Sequence, residues 1–353
     1  MTQALEATGI ARGKDVEAAP DRYERMLYRR AGRSGLVLPA ISLGAWLTFG
    51  GYRDASVARD CLRLAFDLGI THFDFANNYG DPPGRAEIVC GEIIRRDLPR
   101  DELIVSSKAG HRMWPGPYGE WCSKKSLVAS CDQSLRRLGL DYLDVFYVHR
   151  VDWETPFEEQ LDALDLLIRQ GKVLYGGVSS WASPGVAGLA GEAFARMHEL
   201  TSRRGLAPIT LHQAEYSLLR RRLETELFPR LEAAGTGIVA FRALASGLLT
   251  ERYTDGSLPA GSRGAELWGE EQTRAQVEAA GPARLRALAA LARDRGQTLA
   301  QLAIAWALRR PAMTTVLVGV STPEQLAENV ATLERLELSP EELRAIDELT
   351  QEA

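Results

Sequence analysis

A phenol that must give up a proton near neutral pH needs a cation beside it, and this chain holds residues suited to that task. Asp74 and Tyr79 lie five residues apart in the stretch 71–80, THFDFANNYG; Lys108 follows the apolar run 103–107, and His149 follows 145–148. An unperturbed tyrosine has a pKa near ~10 and is a poor acid. An ammonium at Lys108 would stabilise the phenolate of Tyr79 and lower that value. Asp74 would pair with Lys108 and offset part of the cost of taking its charge out of water. His149 would hydrogen-bond a substrate carbonyl beside Tyr79, where negative charge develops on oxygen. Each residue also has a plainer reading. The tyrosine can be a buried ring whose hydroxyl finds a partner, the aspartate a helix cap or the structural counter-ion of the lysine, and the histidine a side chain satisfied by backbone.

Short apolar runs at 40–43, 72–74, 103–107, 145–148, 173–178, 210–214, 237–241 and 315–318 read as strands. Helical patterns alternate with them at 56–68, 86–96, 124–138, 156–169, 185–203, 223–234, 284–295 with 299–308, and 323–333. Gly69, Gly139, Gly171, Gly205 and Gly235 stand where left-handed helix ends are wanted. The alternation predicts an α/β protein whose parallel sheet closes as a (β/α)8 TIM barrel. Segments 26–30 and 36–39, around Gly32 and Gly35, predict a β-hairpin before it. A doubly wound open sheet is the competing architecture, but GAWLTFGGY at 44–52 lacks G-x-G-x-x-G and opens no immediate helix.

In a barrel, functional groups gather at the C-terminal ends of the strands. Asp74, Lys108 and His149 end the second, third and fourth, and Tyr79 lies in the loop after the second. The other histidines fail this filter: His72 sits inside the second strand at opposite parity to Phe73, His111 in a loop, His198 in a helix, and His212 within the sixth strand. Two long segments stand outside the rhythm. One, at 109–123, carries Trp114, Pro115, Pro117, Tyr118 and Trp121; the other, at 245–281, is rich in Gly and Ser. Such βα loops build sites and lids. Residues 1–25 read as a disordered arm and 26–353 as a single domain.

Composition excludes several classes. A net charge of -5 over 353 residues argues against binding nucleic acid, which needs a basic face. Arg220, Arg221 and Arg222 form the only dense basic run and read as a solvated helix start. No segment is apolar enough for a membrane span, and the first twenty residues lack a signal peptide's apolar stretch. Cys61, Cys90, Cys122 and Cys131 show neither a C-x-x-C pair nor a histidine at metal-ligand spacing, so they read as reduced thiols of a cytoplasmic protein with no metal. A barrel hydrolase or isomerase would want paired carboxylates or a metal cluster at the strand ends, and neither is evident.

The segments GITHFDFANNYG at 69–80, Ser107-Lys108 and Tyr147-Val-His149-Arg150 resemble the aldo-keto reductase superfamily, over nearly the whole chain from about Met26. AWLTFGG, NNYG, WPGPYG, VHR and VGVSTPEQLAENV are similar to its branch of potassium-channel β subunits and bacterial L-glyceraldehyde 3-phosphate reductases, most of all the latter. The resemblance implies an NADP(H)-dependent barrel, with long loops forming a cofactor lid and a catalytic set at Asp74, Tyr79, Lys108 and His149. It assigns Ser179, Ser180 and Gln213 to a nicotinamide carboxamide and Phe241 to stacking on that ring. Backbone from Ala243 through Leu244 and Ala245 to Ser246 would hold the pyrophosphate. Gly319 and Ser321 lead into a helix N-terminus that favours a phosphate. Ser321 and Gln325 match positions near the 2'-phosphate, Glu328 and Asn329 match adenine contacts, and Arg252, Arg263 and Trp46 match further cofactor contacts.

Arg242 and Ala243 depart from the branch's small hydroxyl residue followed by Pro, so Arg242 either binds phosphate or turns to solvent. The implied activity is NADPH-dependent reduction of small aldehydes or ketones, with Tyr79 as proton donor. Arg150, with Arg112, Lys124 and Lys125, suits an anionic aldehyde such as glyceraldehyde 3-phosphate or a methylglyoxal-like compound, and Trp46, Trp114, Tyr118 and Trp121 would wall the substrate mouth. The competing role is a redox-sensing subunit like the channel β subunits. Relatives in this branch form tetramers or octamers, which implies a homo-oligomer.

Overall fold

The computed structural model describes residues 18–180, 190–254 and 269–350. Strands β1 (Tyr28–Arg30) and β2 (Val37–Pro39) pair antiparallel as the expected hairpin. Eight further strands follow: β3 (Ile41–Gly44), β4 (His72–Asp74), β5 (Ile104–Ala109), β6 (Leu143–Val148), β7 (Val173–Ser180), β8 (Ile209–Glu215), β9 (Gly237–Phe241) and β10 (Met313–Val318). They pair in sequence order, all parallel, and β10 returns to β3, so the sheet is a closed (β/α)8 barrel.

Each strand runs within a few residues of its apolar run, because an apolar run buried on both faces marks a parallel strand. The helices are α1 (Arg22–Arg25), α2 (Ala55–Asp67), α3 (Arg85–Asp97), α4 (Lys124–Leu138), α5 (Phe157–Arg169), α6 (Ala190–Arg204), α7 (Leu223–Glu226) and α8 (Phe228–Ala234). After β9 come α9 (Glu270–Ala280), α10 (Pro282–Asp294), α11 (Leu299–Leu308), α12 (Pro323–Val330) and α13 (Pro340–Thr350).

Three differences from the sequence reading have local causes. The helix expected over 223–234 breaks at Leu227 into α7 and α8, where Pro229 cannot donate to the preceding turn. Segment 245–281, read as loop, contains α9, an acidic-fronted helix that buries only Thr273, Val277 and Ala280, too few apolar contacts to leave a clear periodic pattern. Of the arm read as disordered, residues 18–25 are described and carry the α1 turn. Arg22 binds Glu102 at 2.7 Å and lies over the Phe66 ring.

Two apolar clusters divide the interior. The larger lies between sheet and helices. The smaller fills the barrel with Val145, Tyr147, Leu211, Val239 and Leu317, and Ala31, Leu36 and Leu38 of the hairpin cap it from below. Burying a leucine of this kind stabilises by about 1.5–3 kcal/mol. The hairpin is latched where α8 ends on left-handed Gly235, φ 70°, whose carbonyl accepts the Arg33 N–H at 2.9 Å. Higher in the barrel, a Cβ on Gly177 would stand 2.4 Å from the Tyr147 ring, so only glycine leaves that ring its place. Among the described residues no helix is long and apolar enough to cross a membrane. All four cysteines are buried and free, as expected of core thiols.

Candidate active site

Side chains alternate along a strand, so His72 and Asp74 of β4 share a face, as do Ser106 and Lys108 of β5. Past β4 the chain stays beside β5: Phe75 N–H donates to the Ser106 carbonyl and Asn77 N–H to the Lys108 carbonyl, both at 2.9 Å. A turn from Ala76 then delivers Tyr79, whose N–H donates to the Ala76 carbonyl at 3.0 Å. Local hydrogen bonding therefore carries Tyr79 back over Lys108.

Lys108 Nζ donates to Asp74 Oδ2 at 2.5 Å and to the Phe75 carbonyl at 2.6 Å, and it lies 4.9 Å from the centre of the Tyr79 ring. Asp74 Oδ1 accepts from Ser106 Oγ at 2.7 Å and from Gln213 Nε2 at 3.1 Å. Lys108 and Asp74 are 0% and 2% exposed, so this pair stands free of solvent competition. The His149 ring meets Tyr79 edge-on at 5.9 Å between centres and His111 at 4.5 Å. The four residues named from strand order thus converge.

The electrostatics differ from the expectation at Tyr79. Burial, and then the charge of Asp74, push the phenol well above its ordinary value, with the Arg242 cation opposing. The proton is held, not loosened. Burial draws Lys108 below its ordinary 10.5 while Asp74 pulls it back up. Burial, with the cations of Lys108 and Arg150 and the nearby His111, holds His149 well below 6.5, so its imidazole is neutral. A neutral ring donates one N–H, and a protonated phenol donates O–H. Both point to hydrogen bonding of one oxygen atom.

A cavity of about 290 Å³ opens beside these groups at the C-terminal mouth of the barrel. Asp74, Tyr79, Trp46 and Gln213 line its inner end. Phe241, Arg242, Ala243, Leu244 and Ser246 line the wall after β9, and Arg252 lies further along it. Gly319, Ser321, Gln325, Glu328 and Asn329 form the wall after β10. Thr250, Glu251 and Tyr253 also line it, and were not anticipated. Thr250 caps the turn Glu251–Tyr253 by accepting the Arg252 N–H, and Glu251 accepts the Leu299 N–H at 2.7 Å, which ties the loop to α11.

Whether this cavity suits a dinucleotide can be tested on its own chemistry. Arg242, Ala245 and Ser246 hold left-handed backbone at φ 55°, 45° and 61°, a strained turn in which the Ala245 N–H is already given to the Arg242 carbonyl at 2.7 Å. Across the cavity lies the N-terminus of α12, capped by Thr322, where Gln325 Oε1 accepts the Ser321 N–H at 2.9 Å. Two arginines, a helix N-terminus and a long groove leading to Tyr79 fit a phosphate-bearing dinucleotide. Arg242 lines the cavity and is steadied from β8 by Glu215, 3.4 Å away.

Other expected residues lie elsewhere. Ser179 is buried but lines a small separate cavity beside His212, and Ala245 contributes to the loop without lining the main one. The Ser180 side chain and Arg263 lie outside the described residues. Trp114, Tyr118 and Arg150 do not line the main cavity. Tyr118 is 47% exposed, and Arg150 stacks on Trp121 at 3.6 Å while binding Glu120 at 2.7 Å. Glu120 holds Arg112 with its other oxygen at 3.0 Å. The arginine expected to meet an anion is thus engaged by a carboxylate of the adjoining loop, a pairing no local spacing announces.

Sequence reasoning also passed over His72. Its ring nitrogens contact Ser42 Oγ and Ser106 Oγ, each at 3.0 Å, inside the barrel. The available signal was parity: positions 72 and 74 face the same way. Among the described residues no His, Cys, Asp and Glu cluster could hold a metal ion.

Residues 40–351 match the aldo/keto reductase family. The chain is 48% identical over 338 residues to an L-glyceraldehyde 3-phosphate reductase of Escherichia coli O157:H7, covering 94% of each. It is 37% identical over 338 residues to a putative voltage-gated potassium channel subunit beta of Schizosaccharomyces pombe, covering 91% of this chain and 92% of that one. A probable channel subunit beta of Arabidopsis thaliana is 34% identical over 332 residues, with 92% and 97% covered.

Proposed function

The chain belongs to the aldo/keto reductase family, and on that premise we propose that it reduces small aldehydes with NADPH, Tyr79 giving the proton to the carbonyl oxygen. The observation that carries this reading is Tyr79 in the cavity wall with the Lys108–Asp74 pair directly behind it.

A bound reduced nicotinamide supplies the hydride for the carbonyl carbon. Tyr79 O–H and the neutral His149 N–H hold the carbonyl oxygen and favour the charge that grows there. As that charge develops the phenol becomes the nearest donor, and the Lys108 ammonium stabilises the phenolate left behind. Asp74 fixes the ammonium in place, so no reorganisation is required at the moment of transfer. Phe241 offers a face for the nicotinamide ring. Arg242, Arg252 and the α12 N-terminus would hold the phosphates, and Ser321, Gln325, Glu328 and Asn329 would hold the adenosine end.

The substrate class is a phosphorylated triose aldehyde or a related small carbonyl, supported by the similarity to the E. coli L-glyceraldehyde 3-phosphate reductase. Arg150 is the residue suited to the anion, once Glu120 yields it. The test is direct: titrate the purified protein with NADPH and NADH, then assay an aldehyde panel. NADPH-dependent turnover favouring the phosphorylated triose supports the reading. Preference for NADH, or turnover no faster with the phosphorylated aldehyde than with uncharged ones, overturns the corresponding part.

A further inference from the structure

Beneath Asp74 a line of hydroxyl and imidazole groups crosses four strands of the barrel. Thr315 of β10 lies 2.6 Å from Ser42 of β3, Ser42 lies 3.0 Å from His72 Nδ1, and His72 Nε2 lies 3.0 Å from Ser106 of β5. Ser106 is 2.7 Å from Asp74 Oδ1. Thr315, Ser42, His72 and Ser106 are each 0% exposed. Polar groups this deep need a reason, because each must be satisfied internally.

The directions of these bonds follow from proton counting. A carboxylate only accepts, so Ser106 directs its single hydroxyl proton to Asp74. Its oxygen must then accept from His72 Nε2, which places the imidazole proton on that nitrogen. Burial drives His72 down to about 4, so the ring is neutral and its Nδ1 is an acceptor. Ser42 therefore donates to Nδ1, and the Thr315 hydroxyl divides its one proton between Ser42 at 2.6 Å and the Ala40 carbonyl at 3.3 Å. From Ser42 onward every proton in the line points toward Asp74.

We propose that Ser42, His72 and Ser106 form a one-way hydrogen-bond relay that holds the Asp74 carboxylate against Lys108, making His72 a positioning residue for proton donation. The inference rests on the reading of Tyr79 as proton donor given above. With Ser106 and Gln213 on Oδ1, Asp74 turns Oδ2 to the ammonium. The groups that bear on this set are known from every side: Glu87 of α3 acts on Lys108, Arg242 after β9 acts on Tyr79, and His111 and Arg150 act on His149. His72 is neutral throughout the working range, so the relay itself does not switch. Removing its donation loosens the carboxylate's hold, and Lys108 then surrenders its proton at lower pH.

The experiment compares the pH profiles of kcat for Ser106→Ala, His72→Leu and His72→Gln, with cofactor fluorescence quenching reporting that each variant is folded. Glutamine can accept from Ser42 and donate to Ser106 as the neutral imidazole does; leucine only fills space. The alkaline limb of Ser106→Ala and His72→Leu is expected to move down by about one pH unit, and that of His72→Gln to stay near the parent's. Unmoved limbs in Ser106→Ala and His72→Leu overturn the relay, as do equal shifts in His72→Leu and His72→Gln, which indicate packing alone. If His72→Leu binds no cofactor, Ser106→Ala alone decides. An active Tyr79→Phe enzyme overturns the proton-donor reading itself, so the two failures are distinguishable.

Discussion

The Lys108 ammonium stands over the Tyr79 ring, 4.9 Å from its centre, while donating to Asp74 and to the Phe75 carbonyl. Those two bonds hold it over the face of the ring. Tyr79→Phe keeps the ring above the ammonium and removes only the proton. Turnover is expected to fall by roughly 10²–10⁴-fold, with NADPH binding by fluorescence quenching unchanged. An active Phe variant rules out Tyr79 as the donor.

The Glu120 carboxylate occupies Arg150 at 2.7 Å and Arg112 at 3.0 Å. Glu120→Gln releases both cations toward an incoming anion. The ratio of kcat/KM for the phosphorylated triose to that for an uncharged aldehyde is expected to rise several-fold. An unchanged ratio shows that neither arginine reads the substrate's charge.

Arg242 lines the cavity in a left-handed conformation and pairs with Glu215 at 3.4 Å. If its charge meets a cofactor phosphate, Arg242→Ser removes a charge-assisted contact worth about 1.5–3 kcal/mol. The NADPH dissociation constant is then expected to rise by roughly ten-fold or more. Binding equal to the parent's shows instead that Arg242 holds no cofactor phosphate.

His72 and His212 are buried and pushed down to about 4 and about 3. Their unfolded value lies near ~6.5, so between that pH and the folded values the unfolded chain binds more protons than the folded one. Stability from keeping them neutral is complete above ~6.5 and is lost as pH falls, at up to roughly 1.4 kcal/mol per pH unit for each. Thermal melts from pH 7 to 4.5 should show a shallower loss in His72→Gln than in the parent. Parallel curves sink this account of acid lability.

Much of the fold could be read from the chain because barrel strands are short, doubly buried and interrupted by helices that stop on glycine. Asp74, Lys108 and His149 were legible for the same reason: each ends such a strand. His72 was not, since a histidine in mid-strand looks like filler until its partners on β3 and β5 are known. Arg150 shows the opposite limit. Its position beside His149 was readable, but its engagement by Glu120 depends on a loop folding back from 30 residues away. Likewise Ser179, next after the expected run 173–178, lies against a different cavity shared with Phe194 and His212, a neighbourhood that local spacing does not announce.

The hairpin that plugs the barrel also sets a schedule. Arg33 of its turn hydrogen-bonds Ala233, 200 residues on, and Arg29 of β1 bonds Leu308, 279 residues on. On the ribosome the plug is made first and its seat last, so Leu36 and Leu38 stay without a barrel to enter until nearly the whole chain has emerged. Contacts this distant in sequence are slow to form and leave apolar surface open to wrong partners. A chain ending short of β10 would carry this stopper with no vessel to close.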